Sequence, residues 1–385
     1  MDSRDRKLHT KIVCTLGPAS SSPEVIEGML RGGMDVARLN LAYGTPDEHS
    51  RLINEVRRLS QSSGMPTGIL LDMPGLKRNT GNIRDVFRSH IDFALSRDVD
   101  FVALSYITSA RQVVEVKELL QERRVDIPVI VKIERAQAFE DSTAILDVGD
   151  GIMVARGDLA FEISIERVPL AQKQLIDKSN RRGRPVITAT QMLESMVRSA
   201  MPTRAEATDV ANAVLDGSDA LMLSEETAIG NYPVEAVEMM TKIALETETM
   251  LPYDQVLRES GLIFLPEADD ATARAACQMA HQINAKAIVA FTTGGTTALR
   301  VSKYRPRQPI LAVTPSDTVM RRLSVAWGVF PVKKAEYLDL EAVFEIAQEV
   351  ALETGVARKG ELVVITAGLP LNVSGSTNLV KVQSV

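Results

Sequence analysis

Aromatic side chains are scarce in this chain: they supply 4% of the residues, and Trp327 is the one tryptophan among 385 positions. Aliphatic residues must therefore fill the interior, which is the composition of buried parallel strands. Cysteine is scarcer still. Cys14 and Cys277 lie far apart, each within an apolar periodic segment, so both are expected to be buried thiols rather than parts of a disulfide or a metal site. No uninterrupted apolar stretch reaches the length that spans a bilayer. The opening residues MDSRDRKLHTK carry no apolar leader core, so a soluble, cytoplasmic protein is expected. An excess of positive charge is also missing. The formal net charge is −6, without the Lys and Arg clusters that neutralise phosphate backbones, so neither nucleic acid nor a membrane surface is an expected partner.

What is present is alternation. A chain of 385 residues is long for one core, and two domains are the natural expectation. Short apolar runs alternate with amphipathic stretches, the pattern of βα units around a parallel sheet. Strands are predicted at 11–17, 34–40, 67–73, 100–107, 128–134, 151–158, 185–190 and 218–224. Eight such units close a ring of the TIM (β/α)8 barrel type. Chemically capable residues sit at the C-terminal ends of these runs: Asn40, Asp72, Ser105, Lys132, Glu134, Asp158 and Thr190. In a barrel those ends form one face, and that face carries catalysis. The rhythm breaks near 250–268, where Pro252, Pro266 and an acidic EADD stretch fit a boundary. We therefore expect a barrel over 1–250, with only a short connection at 74–99, and a C-terminal α/β domain with a mostly parallel sheet over 251–385.

Lys132 and Glu134 lie two apart on one strand, so they share a side. Burying both against apolar helices would be costly, which favours an inward orientation at the open mouth. Asp158 ends the next run and can reach the same space. Two carboxylates from neighbouring strands make a hard-oxygen site suited to Mg²⁺ or Mn²⁺; a rim ion-pair network is the plainer alternative. Arg156-Gly157-Asp158 opens a helix whose free N–H groups attract an anion, and Gly157 allows close backbone approach. Thr190 stands at what reads as a helix start. Its hydroxyl either caps that helix or bonds substrate, and the sequence leaves both open.

These segments resemble the pyruvate kinase family: KIVCTLGPAS, MDVARLN, VKIE, GIMVARGDL, PVITATQMLESM, PTRAEATDVANAVLDGSDALMLS and, towards the C-terminus, KYRPRQPILAVTP and ITAGLP with SGSTN. The resemblance implies a barrel followed by the family's α/β domain, usually as a homotetramer, with a dimer as the other expected homo-oligomer. It implies that Glu134 and Asp158 hold Mg²⁺ or Mn²⁺ and that Lys132 steadies the transferring phosphoryl group and the enolate. By the same likeness Thr190 stands beside the carbon that is protonated. Ala155, Arg156, Gly157 and Asp158 supply backbone contacts to the substrate carboxylate, and Arg38 and Asn40 mark the phosphate and monovalent-cation positions.

The chain also departs from the family pattern. The lid domain normally inserted after the third strand is absent. The usual LDTKGPEIRTG reads LDMPGLKRNTG, placing Met73 in the monovalent-cation region beside Asp72, and Asn79 where an arginine is expected, next to Arg78. RxNFSHG reads RLNLAYG, so Ala42 and Tyr43 replace the serine and histidine. Lys77 falls where potassium-independent members carry lysine. Its ammonium is expected to stand in for K⁺, a solvated loop lysine being the other reading. The turn Thr292–Thr297 keeps donors for an anion but also reads as a plain strand-to-helix turn. The first expectation for function is phosphoryl transfer from phosphoenolpyruvate to ADP. The alternatives are enolate chemistry without a nucleotide (decarboxylase, aldolase or phosphonate-type cleavage on pyruvate or a related 2-oxo acid) and a non-catalytic regulatory paralogue.

Overall fold

The computed structural model describes residues 8–75, 81–253, 267–371, 373 and 375–385. The chain divides into two compact units, Met1–Thr249 and Met250–Val385. Lys77, Arg78 and Asn79 lie outside the described residues.

The first unit is a closed ring of eight parallel strands in chain order. They are β1 (Lys11–Thr15), β2 (Val36–Asn40), β3 (Gly68–Met73), β4 (Phe101–Leu104), β5 (Val129–Ile133), β6 (Gly151–Ala155), β7 (Val186–Ala189) and β8 (Ala220–Leu223). β8 closes the ring on β1, with Lys11 opposite Ala220. The helices between strands start where the sequence supplies a cap. Ser22 caps the helix Pro23–Gly32, and Thr45 with Glu48 forms a capping box for Pro46–Ser63. Thr203 with Glu206 does the same for Arg204–Leu215. Each box satisfies backbone donors that the first helical turn leaves open.

Alternation along the strands decides which side chains enter the ring. Ala37, Leu39, Leu71, Met73, Leu104, Val131, Ile133 and Val154 belong to the apolar layer packed under the helices. Residues between them point the other way, because side chains alternate along a strand. Arg38, Asn40, Asp72, Ser105, Lys132, Glu134 and Ala155 therefore face the interior at the C-terminal mouth. Met73 itself belongs to the outward layer and turns only its backbone to that side.

Between β3 and β4 the described residues hold one helix, Ile83–Ser96. It is the ordinary third helix of the ring, and a connection this short has no room for a lid. One glycine there is needed by close approach: a Cβ on Gly75 would stand 2.1 Å from the carbonyl oxygen of Ser105.

The predicted strand 151–158 is too long. β6 stops at Ala155 and the helix Arg156–Ile163 begins at once. Thr190 likewise starts no helix; β7 is followed by an irregular stretch and a short 3-10 turn, Glu194–Val197.

The second unit is a five-stranded sheet built from β9 (Ile288–Phe291), β10 (Ile310–Thr314), β11 (Val329–Lys333), β12 (Leu362–Gly368) and β13 (Thr377–Ser384). The spatial order is β11-β10-β9-β12-β13, parallel except for β13, which runs antiparallel to β12. Ile288 and Ala290 pack on one face with Ala273, Cys277 and Val301, while Val289 and Phe291 pack on the other with Val343 and Ala347. Cys14 and Cys277 are buried thiols that form no disulfide. Among the described residues no helix is long and apolar enough to cross a membrane.

Candidate active site

The inward residues of β2 to β5 form a connected polar cluster at the barrel mouth. Asp72, at the end of β3, is 1% exposed. Its Oδ2 accepts hydrogen bonds from Arg38 Nε at 2.9 Å and Nη2 at 2.7 Å. Arg38 Nη1 donates to Thr15 Oγ1 at 2.7 Å. Ser105, directly after β4, donates to Asp72 Oδ1 at 3.1 Å and accepts from Lys132 Nζ at 2.8 Å. The Lys132 ammonium also lies 3.3 Å from Asp72 Oδ2 and 3.3 Å from Glu134 Oε2. The two-residue spacing of Lys132 and Glu134 thus does what alternation requires.

Burial works to raise the Asp72 carboxyl, but the Lys132 ammonium and the Arg38 guanidinium outweigh it and hold the group below its ordinary range. Burial works to lower Lys132, yet Asp72 and Glu134 keep its ammonium above the usual value. Glu134 is pushed up by burial, against the opposing pull of Lys132 and of the Tyr106 amide. That amide donates to Glu134 Oε1 at 2.5 Å. The other oxygen, Glu134 Oε2, is buried without a hydrogen bond.

Asp158 occupies the first turn of the helix Arg156–Ile163, where a negative charge suits the helix end. It is exposed, and its carboxylate has no hydrogen bond or ion pair among the described residues. Its field nonetheless reaches both Glu134 and the Tyr106 phenol, raising each after burial has done so. A buried carboxylate oxygen that takes no hydrogen bond, within the field of a second acid that has no partner among the described residues, is a donor set that fits a hard divalent cation completed by water or substrate oxygens. With every carboxylate ionised, Arg38 and Lys132 offset Asp72 and Glu134, and Asp158 leaves the cluster one charge negative. A divalent cation would invert that sign and suit an anionic substrate.

Thr190 has an unexpected part. Ala155, the N-cap of the helix Arg156–Ile163, has no capping oxygen. Thr190 Oγ1, on the neighbouring strand end, accepts from Gly157 N–H at 2.8 Å and donates to the Ala189 carbonyl at 2.6 Å. It caps the helix next door rather than one of its own. Thr190 and Gln191 hold φ values of 68° and 55°, and Tyr106 holds 58°. Left-handed backbone at non-glycine residues, gathered at one rim, marks strain that closed packing maintains.

Arg156 braces this corner with its side chain: Nη2 donates to the Thr190 carbonyl at 2.7 Å and Nη1 pairs with Asp209 Oδ2 at 2.7 Å. Only the backbone of Arg156 is left for a ligand. Gly157 N–H is taken by Thr190, so it reaches a ligand once that hydroxyl turns away. Asn40 Oδ1 accepts from Ala42 N–H at 3.1 Å, and the Met73 carbonyl accepts from Ser105 N–H at 3.2 Å. Asp72 and Met73, expected near a monovalent cation, are thus engaged within the barrel. Sequence reasoning gave no part to Thr15, Tyr106 or Asp209, and left Ser105 a strand-end residue without a role. Their contacts cross between strands and leave no local signature.

In the second unit, the Thr292–Thr297 turn is pinned by its own contacts. Thr292 Oγ1 accepts from Gly295 N–H at 2.9 Å, and the Thr297 and Thr377 hydroxyls bond at 2.6 Å. Both readings of this turn survive, since it also lines a pocket with Tyr337 and Ser376.

Comparison with known proteins agrees with this geometry. The family model described as pyruvate kinase, barrel domain, matches residues 7–89 and 85–237, and that described as pyruvate kinase, alpha/beta domain, matches 270–383. A pyruvate kinase of Staphylococcus epidermidis is 35% identical over 469 residues, covering 98% of this chain and 80% of its own. That of Geobacillus stearothermophilus is 36% identical over 473 residues, covering 98% and 81%. That of Staphylococcus aureus is 36% identical over 469 residues, covering 98% and 80%. These alignments are longer than the 385 residues of the chain, so the relatives carry internal residues without a counterpart here. The barrel match itself comes in two segments that meet at 85–89, within the helix Ile83–Ser96 that follows β3. With its eight-stranded ring, its mixed second sheet and its missing lid, the chain belongs to the pyruvate kinase family.

Proposed function

We propose that this chain is a phosphotransferase that moves the phosphoryl group of phosphoenolpyruvate to ADP at the barrel mouth, with Mg²⁺ or Mn²⁺ held by Glu134 and Asp158. The observation that carries this reading is the Lys132 ammonium, 3.3 Å from a Glu134 oxygen that takes no hydrogen bond. Both groups face inward at a strand-end rim, in a chain of this family. A bound divalent cation would supply charge neutralisation for phosphoryl and enolate oxygens.

The protein's own groups supply the rest. Lys132 places a fixed positive charge where negative charge develops on the transferring group, and fixed charge in a partly dry site needs no rearrangement during reaction. Arg38 commits three of its five N–H groups to Asp72 and Thr15, leaving two for a phosphate oxygen. Backbone from Ala155 to Asp158 receives the substrate carboxylate at a helix N-terminus. Thr190, beside that loop, is positioned to hold a proton near the carbon protonated when enolpyruvate becomes pyruvate.

Potassium is not required in this reading. Ala42 offers no side-chain oxygen, Asp72 is engaged by Arg38, Lys132 and Ser105, and Lys77 supplies a cation in its place. Rates in K⁺ and in tetramethylammonium should agree; strong K⁺ activation refutes this part. A cytoplasmic homotetramer or homodimer follows from the family likeness and is checked by light scattering and cell fractionation.

A lactate-coupled assay with phosphoenolpyruvate and ADP, run beside oxaloacetate decarboxylation, tests the whole. Pyruvate formation should need ADP and a divalent metal together. Pyruvate released without ADP would instead support nucleotide-independent enolate chemistry, and inactivity in both assays would support a non-catalytic paralogue.

A further inference from the structure

The cluster contains one side chain that no reading so far employs. Ser105 is 5% exposed at the end of β4. It is fixed from both sides, since its N–H bonds the Met73 carbonyl at 3.2 Å and its own carbonyl lies against Gly75. Its hydroxyl direction is also determined. An ionised Asp72 can only accept and a lysine ammonium can only donate. The Ser105 proton therefore goes to Asp72 Oδ1, and its lone pair faces Lys132.

The consequence lies in the distances around Lys132. Its ammonium is 2.8 Å from Ser105 Oγ but 3.3 Å from either carboxylate. A buried lysine next to a buried glutamate would ordinarily close a short, charge-assisted bond of about 2.7–2.9 Å. Here the closest partner is the neutral hydroxyl, and Glu134 Oε2 is left buried without a hydrogen bond. That oxygen is the one a cation needs.

We propose that Ser105 is a positioning residue: by taking the short hydrogen bond from Lys132 it holds the ammonium off Glu134 Oε2 and so keeps that oxygen open to a divalent cation. No bond is made or broken in this role. Ser105 arbitrates between two positive charges, lysine and metal, for one carboxylate. The inference rests on the metal reading above and goes beyond it by assigning how the ligand is kept available.

The test is a double-mutant cycle read by Mn²⁺ affinity, followed by electron paramagnetic resonance of the free ion without substrate. Ser105→Ala should weaken Mn²⁺ binding about fivefold, the size of one net hydrogen bond, because the freed ammonium settles on Glu134. In a Lys132→Met background the same substitution should change affinity by less than about 1.5-fold, within the scatter expected for uncoupled sites. Ser105→Thr, which keeps the hydroxyl, should restore the wild-type value. If Ser105→Ala does not fold, Ser105→Cys fills the same space with a poor acceptor and carries the same cycle. Unchanged affinity in Ser105→Ala, or an equal loss with and without Lys132, overturns the assignment. Turnover of phosphoenolpyruvate and ADP by the wild type is measured separately. A protein that turns over and binds Mn²⁺ with no dependence on Ser105 sinks this role alone, whereas one that binds no Mn²⁺ sinks it together with the metal reading.

Discussion

Two buried charge clusters, one in each unit, use the same residue types to opposite ends. In the second unit Asp270 is 1% exposed and fully engaged: Oδ1 takes Lys303 Nζ at 2.8 Å and Oδ2 takes the Tyr304 hydroxyl at 2.8 Å. Arg300 adds contacts to Asp269 and Asp270 at 3.1 and 3.8 Å. Burial, helped by the Asp270 bond, pushes the Tyr304 phenol well up, so it stays a donor throughout the working range. At the barrel mouth the lysine stands off its carboxylates, one glutamate oxygen takes no hydrogen bond, and Asp158 has no partner among the described residues. A satisfied cluster holds a fold together. One left incomplete inside a rigid ring is arranged for something that arrives later.

The comparison is broken most directly by removing its two lysines in turn. Lys132→Met should lower kcat roughly 10²- to 10³-fold, the usual size of a lost electrostatic contact to the transition state. The unfolding of the second unit should be untouched. Trp327, the one tryptophan of the chain and 2% exposed, reports on that unit by its fluorescence in urea. Lys303→Met should do the reverse. It leaves Asp270 with less cover and should cost about 3–5 kcal/mol in the Trp327-detected transition, while folded protein keeps its kcat. Equal loss of activity in both variants would erase the distinction between the clusters.

A smaller effect sharpens the mouth itself. Thr190→Val removes the oxygen that caps Gly157 and should cost about 1 kcal/mol locally, seen as faster hydrogen exchange at the amides of 156–159. Activity should fall with it, and Thr190→Ser should regain both. Loss of activity with unchanged exchange would separate the capping part of this residue from its chemical part.

The smallest expected effect is on acid stability. Asp72 has its folded value below the unfolded one of about 3.9. Its contribution is therefore complete above that pH and is lost as pH falls through the folded value. Asp72→Asn should flatten that part of the acid unfolding curve, followed by circular dichroism below about pH 4. An unaltered curve would mean that Arg38 and Lys132 do not stabilise the ionised carboxylate.

Much of this was legible in the chain, and what was not has a common cause. All eight barrel strands and the three central strands of the second sheet fall within runs visible as apolar segments, because burial on both faces demands them, while the edge strands β11 and β13 are only partly buried and more polar. The inward turn of Lys132 and Glu134 follows from their two-residue spacing and the cost of burying charge under helices. The end of β6 was misjudged by three residues, since nothing local stops a strand at Ala155: the cap for the next helix comes from Thr190, 33 positions along. The hold of Ser105 on Lys132, 27 positions away, was hidden for the same reason. Two neighbouring strands bring the pair level, and sequence distance carries no trace of that. The engagement of Asp72 by Arg38, Lys132 and Ser105 likewise appears only once the ring closes.

The borrowed cap on Gly157 also bears on the order in which the barrel mouth is completed. A chain ending just before β7 would carry the helix Arg156–Ile163 with its second amide bare and its brace to the Thr190 carbonyl unmade. The first turn of that helix therefore takes its final shape only with β7 in place, so this corner of the mouth is completed by the last strands to close the ring.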